Sequence, residues 1–88
     1  KQVTVHYEGW LDEGTKFDNT YLRGAPVTFL SGASRIIRGL EVGLEGMQVG
    51  GVRIIVVPPK LGYGQPGIKN KIPPNSYLIY RLSLISVM

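Results

Sequence analysis

The chain has 88 residues, 43% of them hydrophobic and 18% charged, with no cysteine, which is an ordinary globular composition and excludes disulfide scaffolds, thiol catalysis and Cys-based zinc sites. Its longest wholly aliphatic run, Ile54 to Val57, is four residues, against roughly 20 for a bilayer span, so no membrane span is expected. The net charge of +4 is uneven: residues 1–45 hold five basic and six acidic residues, and residues 46–88 hold five basic and none acidic.

A chain of this length buries only a little over about 60% of its unfolded surface, so residues 1–88 are expected to form one domain with one core. Residues 2–11 alternate, with Val3, Val5 and Tyr7 on one face and Gln2, Thr4, His6 and Glu8 on the other, which is the pattern of a half-buried strand. Asp12, Glu13 and Gly14 supply a turn. Phe17 and Asp18 lead into a polar, glycine-containing loop that ends at Pro26, and Val27 to Leu30 is a short second strand. The spacing Ile36, Leu40, Leu44, Met47 predicts a helix over 37–45, with Gly46 as its stop. Gly39 and Gly43 each cost that helix about 1 kcal/mol relative to alanine, so it must be held by packing.

Val52 to Val57 is β-branched and nearly all apolar, which predicts a central strand covered on both faces and ended by Pro58-Pro59. Residues 60–76 read as a long loop. Tyr77 to Val87 is the last strand, with Leu78, Tyr80, Leu82 and Leu84 on one face. The sum is an α+β domain, an antiparallel sheet with one short helix on its apolar face.

Few residues suggest covalent chemistry. Gly62-Tyr63-Gly64-Gln65-Pro66-Gly67 fits G-x-G-x-x-G, but residues 68–75 contain two prolines and no helical stripe, so no helix N-terminus is available for a phosphate and no cofactor is expected. His6 is the only histidine, lies on the polar face of its strand and has no triad motif around it. No spacing of His, Cys or carboxylates suits a metal. The five cations of the C-terminal half are dispersed, so nucleic acid is not an expected partner. An apolar set with polar handles remains: Tyr7, Phe17, Asp18, Ile36, Ile37, Leu40, Tyr63, Ile72 and Tyr80. Apolar pockets with a few fixed polar groups are the usual form of small-molecule and peptide sites, although by spacing alone this set reads as a core.

In order along the chain, Val5-His6-Tyr7-Glu8-Gly9, Gly14-Thr15-Lys16-Phe17-Asp18, Ile36-Ile37-Arg38-Gly39, Gly46-Met47 with Val49-Gly50, Gly62-Tyr63-Gly64 and Ile72-Pro73-Pro74 resemble the FKBP family of peptidyl-prolyl isomerases. The resemblance covers essentially the whole chain. It implies a bent antiparallel sheet wrapped on a short helix, with the active pocket between them, and isomerisation of X-Pro bonds in assistance of protein folding. Family domains begin with about 20 further residues that include one more strand, so a domain trimmed at its N-terminus, or lacking that strand, is the expectation.

By position, the resemblance assigns Tyr7, Phe17, Asp18, Ile37, Tyr63 and Tyr80 to catalysis, and Val27, Ile36, Leu40, Ile68 and Ile72 to ligand binding. The Ile37 N–H and the Tyr63 hydroxyl would donate to bound carbonyls. Leu40 stands where the family usually has a tryptophan floor, Val27 where an aromatic is common, and the loop differs at Ile68 and Lys71. Leu40 implies weaker macrolide binding. Leucine at that position also resembles some plant plastid members, which points to a plastid, with the cytoplasm as the alternative. The expected partners are proline-containing peptides or proteins and macrolides, bound by a monomer. The alternative function is a non-catalytic protein-binding or chaperone-like module using the same pocket.

Overall fold

A computed structural model describes residues 1–33 and 36–88. In chain order the elements are β1 (Gln2–Leu11), β2 (Lys16–Asn19), α1 (Thr20–Arg23), β3 (Val27–Leu30), α2 (Arg38–Leu44), β4 (Val52–Val57), a 3-10 turn (Pro59–Leu61) and β5 (Leu78–Val87). All strand pairings are antiparallel, in the order β2, β1, β5, β4, with β3 also on β1. This is the expected α+β architecture, a sheet with the short helix α2 on its apolar face.

The same edge of β1 serves two partners. β3 pairs with its first half, Gln2↔Leu30 to Val5↔Val27, and β2 pairs with its second half, Glu8↔Asn19 to Trp10↔Lys16. The region expected to be a loop before Pro26 is therefore a strand followed by one helical turn, and β2 and β3 are two pieces of one interrupted edge. The interruption is built by caps. The Asn19 side chain accepts the Tyr21 N–H at 3.0 Å, and Gly24, at φ 82, ends the turn in the left-handed conformation. Thr20, fully buried, fastens it to β1: its hydroxyl accepts the Tyr7 N–H at 2.8 Å and donates to the Tyr7 carbonyl at 3.2 Å.

Helix α2 spans Arg38–Leu44, with Ile37 and Glu45 as its flanking caps and Gly46 beyond at φ 78, close to the expected bounds. Its two glycines have a packing reason. A Cβ on Gly39 would lie 2.4 Å from Val57 Cγ1, and one on Gly43 2.5 Å from Ile55 Cδ1. The helix thus lies closer to β4 than any side-chain-bearing residue allows, and the burial gained there offsets its low propensity. Arg53 reaches across from β4 and donates to the carbonyls of Gly43 at 2.9 Å and Glu45 at 2.7 Å, satisfying the helix C-terminus.

The core is formed by the inward faces of β1 and β5, with Val5, Tyr7, Leu78, Tyr80, Leu82 and Leu84 buried together and Leu40 closing from the helix. Strand β4 differs from expectation. It pairs only with β5, at the edge of the described sheet, and its outward residues Val52, Ile54 and Val56 are 53%, 69% and 64% exposed. Ile55 and Val57 face the helix, as does Arg53 at its C-terminal end. An unbroken run of β-branched residues encodes a strand but carries no alternation to say which face is covered.

Candidate active site

Tyr80, at the centre of β5, organises the site. It is 1% exposed, and its ring meets those of Tyr7 on β1 and Phe17 on β2 edge to face, each at 5.6 Å between centroids and at 76° and 88°. Such pairs are favourable because ring edges and faces carry opposite partial charge. Gly9 makes room for them: a Cβ there would lie 2.8 Å from Phe17 Cζ and 2.9 Å from Tyr80 Cε1, where β1 also shifts register against β2.

The remaining apolar candidates gather on the same cluster. Leu40 and Ile72 are buried in it, and Val27, Ile36, Ile37, Tyr63 and Ile68 are half-buried against it. Val27 sits opposite Val5, on the face of the sheet that carries Tyr7. Ile37 caps α2 in an extended conformation, and its carbonyl accepts the Leu40 N–H at 3.1 Å. An N-cap N–H precedes the helical hydrogen-bond ladder and has no partner within it.

Tyr63 and the two isoleucines belong to the long loop after the 3-10 turn. Three backbone bonds fix Tyr63: Gly64 N–H to the Pro59 carbonyl at 2.9 Å, Gly67 N–H to the Tyr63 carbonyl at 3.1 Å and Asn75 N–H to the Gly64 carbonyl at 2.8 Å. Ile68 and Ile72 exchange two bonds of 2.8 Å, closing a miniature hairpin whose tip is Lys69-Asn70-Lys71. The glycines of the G-x-G-x-x-G stretch serve these turns, with Gly64 at φ 58 and Gly67 at φ 59, and no helix follows them.

Asp18 and Arg23 form the polar rim. Arg23 Nη1 donates to Asp18 Oδ1, the same oxygen accepts the Asn19 N–H at 2.9 Å, and the guanidinium lies 5.9 Å from the centre of the Tyr7 ring. Burial raises the pKa of the Tyr7 phenol above its ordinary value, Arg23 opposes the rise, and the Asp18 carboxylate adds to it. The Tyr63 phenol is raised by burial and then by Asp18, with Tyr80 opposing. Tyr80 is raised furthest, by burial first and by Tyr63, Tyr7 and Asp18 after it. All three phenols are therefore neutral donors at physiological pH.

Sequence reasoning did not single out Arg23 or Thr20. The available signal was the Asn19…Gly24 pair, an N-cap and a C-cap residue one helical turn apart, which places Arg23 back beside Asp18. His6 lies on the other face of β1, its Nδ1 2.8 Å from Thr20 Oγ1 and its ring stacked on Tyr21 at 4.2 Å. Among the described residues no group of three or more His, Cys, Asp or Glu side chains is placed to hold a metal. Buried aromatic rings with neutral donors suit a reaction that changes the shape and polarity of a bound amide, with no proton or group transferred.

The chain matches the family model described as FKBP-type peptidyl-prolyl cis-trans isomerase over residues 1–85. It is 42% identical over 87 residues to an FK506-binding protein of Neisseria meningitidis serogroup C, covering 99% of this chain and 80% of the relative. It is 41% identical over 87 residues to the peptidyl-prolyl cis-trans isomerase FPR2 of Saccharomyces cerevisiae, covering 98% of this chain and 64% of the relative. The crystal structure of AtFKBP13 superimposes with a TM-score of 0.92 at 35% identity, covering all of this chain and 79% of the other. With the fold, the order of the motifs and the relatives in agreement, the chain belongs to the FKBP-type peptidyl-prolyl cis-trans isomerases.

Proposed function

We propose that the domain's isomerase activity resides in the cluster around Tyr80, where an X-Pro segment binds and its amide rotates. The barrier to rotation is near 18–20 kcal/mol because twisting breaks amide resonance. A twisted amide is less polar than a planar one. A site walled by Tyr7, Phe17 and Tyr80 and floored by Leu40 therefore favours it over the ground state, which is differential binding of the transition state. An acceleration of about 10³ to 10⁶ requires roughly 4–8 kcal/mol.

In this reading the Ile37 N–H and the Tyr63 hydroxyl donate to substrate carbonyls, and Asp18, held by Arg23, orients the Tyr7 ring. Val27, Ile36, Leu40, Ile68 and Ile72 contact the proline ring and its neighbours. The observation that carries the reading is the edge-to-face setting of Tyr80 between Tyr7 and Phe17, with the Asp18–Arg23 pair at its rim. Family membership favours catalysis over the non-catalytic binding module. The relatives' name, FK506-binding protein, supports a macrolide as a second ligand of the same pocket. Leu40 gives that ligand a less flat floor than an indole, so its binding is weak.

Cis/trans exchange measured by NMR on a panel of Xaa-Pro peptides tests the assignment, with Leu40→Trp compared at equal concentration and verified folding. Acceleration by the wild type, altered by the floor substitution, is the expected result. A folded wild type that leaves exchange at the uncatalysed rate would overturn it.

A further inference from the structure

The five cations of the C-terminal half are dispersed in sequence, and the structure separates them by role. Arg53 is spent on the C-terminus of α2, and Arg81 faces Glu8 across the outer side of the sheet at 3.9 Å. Lys69 and Lys71 stand at the tip of the Ile68–Ile72 hairpin, where Asn70 at φ 64 makes the turn. Among the described residues neither lysine has an ion-pair partner within 4.0 Å.

Both lysines, with Asn70 between them, line an open cavity of about 420 Å³ whose remaining walls are apolar: Leu11, Ile68, Ile72 and the prolines at 66, 73 and 74. Lys71 also lines a second cavity, of about 340 Å³, together with Lys16, Phe17, Asp18 and Arg23. The two cavities thus adjoin through Lys71, and the second reaches the rim of the active site. In that second cavity Lys16 is engaged by Glu8 at 2.8 Å and Arg23 by Asp18, which leaves Lys71 as the uncompensated charge. The acidic side chains nearest the first cavity in sequence are Asp12 and Glu13, in the turn after Leu11. Glu13 is occupied with the Thr15 N–H at 2.9 Å.

We propose that the hairpin tip is a selectivity site for the polypeptide flanking the isomerised bond, taking segments in which acidic residues accompany an apolar one. This rests on the isomerase reading of the adjoining pocket and adds the chemical class of its substrates. The apolar floor takes an aliphatic or aromatic side chain of the flank, and Lys69 and Lys71 meet carboxylates beside it. Exposed charge pairs are individually weak and screened by salt, so the site ranks substrates and does not by itself hold them.

The test compares two X-Pro peptides that differ only in flanking glutamates or lysines, plus one with neutral flanks. Wild type and Lys69→Glu/Lys71→Glu are assayed by NMR exchange at low salt and at about 0.5 M salt. The wild type is expected to prefer the glutamate peptide by about 3- to 10-fold at low salt, to lose most of that preference at high salt and to reverse it in the double variant, with the neutral peptide unaffected. Equal rates on the two charged peptides, or a preference that survives the double substitution, would overturn the proposal. Failure of the isomerase reading has a separate signature, the absence of acceleration on the neutral peptide. Backbone amide shifts then decide docking independently: movement at residues 67–72 with the glutamate peptide alone supports the site, and no movement sinks it. Equal movement of the same amides by a single-stranded oligonucleotide of matched charge would also overturn a site built for peptides.

Discussion

On the sheet side of the site, Tyr7, Phe17 and Tyr80 come from three paired strands and lock one another edge to face, with Leu40 pressed behind them by a helix that glycines bring close. On the loop side, Tyr63, Ile68 and Ile72 come from one segment between β4 and β5, held by a few backbone bonds at turns. The sheet wall is tied into the global fold, so its geometry is as stable as the domain. The loop wall makes its backbone bonds within its own segment and joins the core through side chains such as Ile72, so it is expected to shift more readily than the sheet. A catalyst of amide rotation benefits from this division: a fixed apolar surface supplies discrimination between planar and twisted amides, and an adjustable one meets varied flanking sequence.

Leu40→Ala is the strongest way to break the sheet wall. The side chain is 4% exposed and lies between α2 and the sheet, so its removal is expected to cost about 2–5 kcal/mol of global stability, the range for a buried leucine truncation. A shifted urea midpoint at unchanged slope reads it. A loss below about 1 kcal/mol would mean that the helix side collapses freely into the cavity and is not rigid.

The loop wall is broken at Gly67. This residue holds φ 59, and a Cβ on it would fall 2.3 Å from the Ile72 carbonyl oxygen, which is backbone and cannot turn aside. Gly67→Ala is expected to cost about 1–2 kcal/mol in stability from the left-handed conformation. Displacement of Tyr63 and Ile72 by an ångström-scale shift is expected to cost about 10- to 100-fold in kcat/KM. Amide exchange in β1 and β5 should stay close to wild type. Parallel loss of exchange protection in those strands would show that the two walls are one cooperative unit.

The same division explains what was readable in the residues alone. β1 and β3 carry the expected bounds, and β5 and α2 differ by one residue at an end or at each end, because each shows at least two full periods of its pattern or sharp turn residues at both ends. The stretch 16–23 was missed because Lys16-Phe17-Asp18-Asn19 carries no apolar alternation and the four residues of α1 are too few to show a helical period; they are specified by pairing with β1 and by the Asn19 and Gly24 caps. The exposed face of β4 was missed because its run does not alternate. At the site, Tyr7, Phe17 and Tyr80 are ten and 63 residues apart in sequence, so only topology brings them together. Arg23 stood in a polar segment with nothing to distinguish it until α1 turned it back toward Asp18.

The finest comparison between the walls is one hydroxyl. Tyr63 is half-buried on the loop side and its phenol stays protonated, so Tyr63→Phe deletes a donor without opening a cavity. The expected loss is that of one net hydrogen bond, about 0.5–1.5 kcal/mol, or roughly 2- to 10-fold in kcat/KM, with the thermal midpoint near wild type. How the loss divides is informative. A fall in kcat at constant KM would mean that the bond strengthens as the amide twists, whereas a rise in KM at constant kcat would mean that it holds planar and twisted amides alike. If neither constant moves, Tyr63 contributes only its ring to the loop wall, and the donors that matter lie on the rigid side, with the Ile37 N–H first among them.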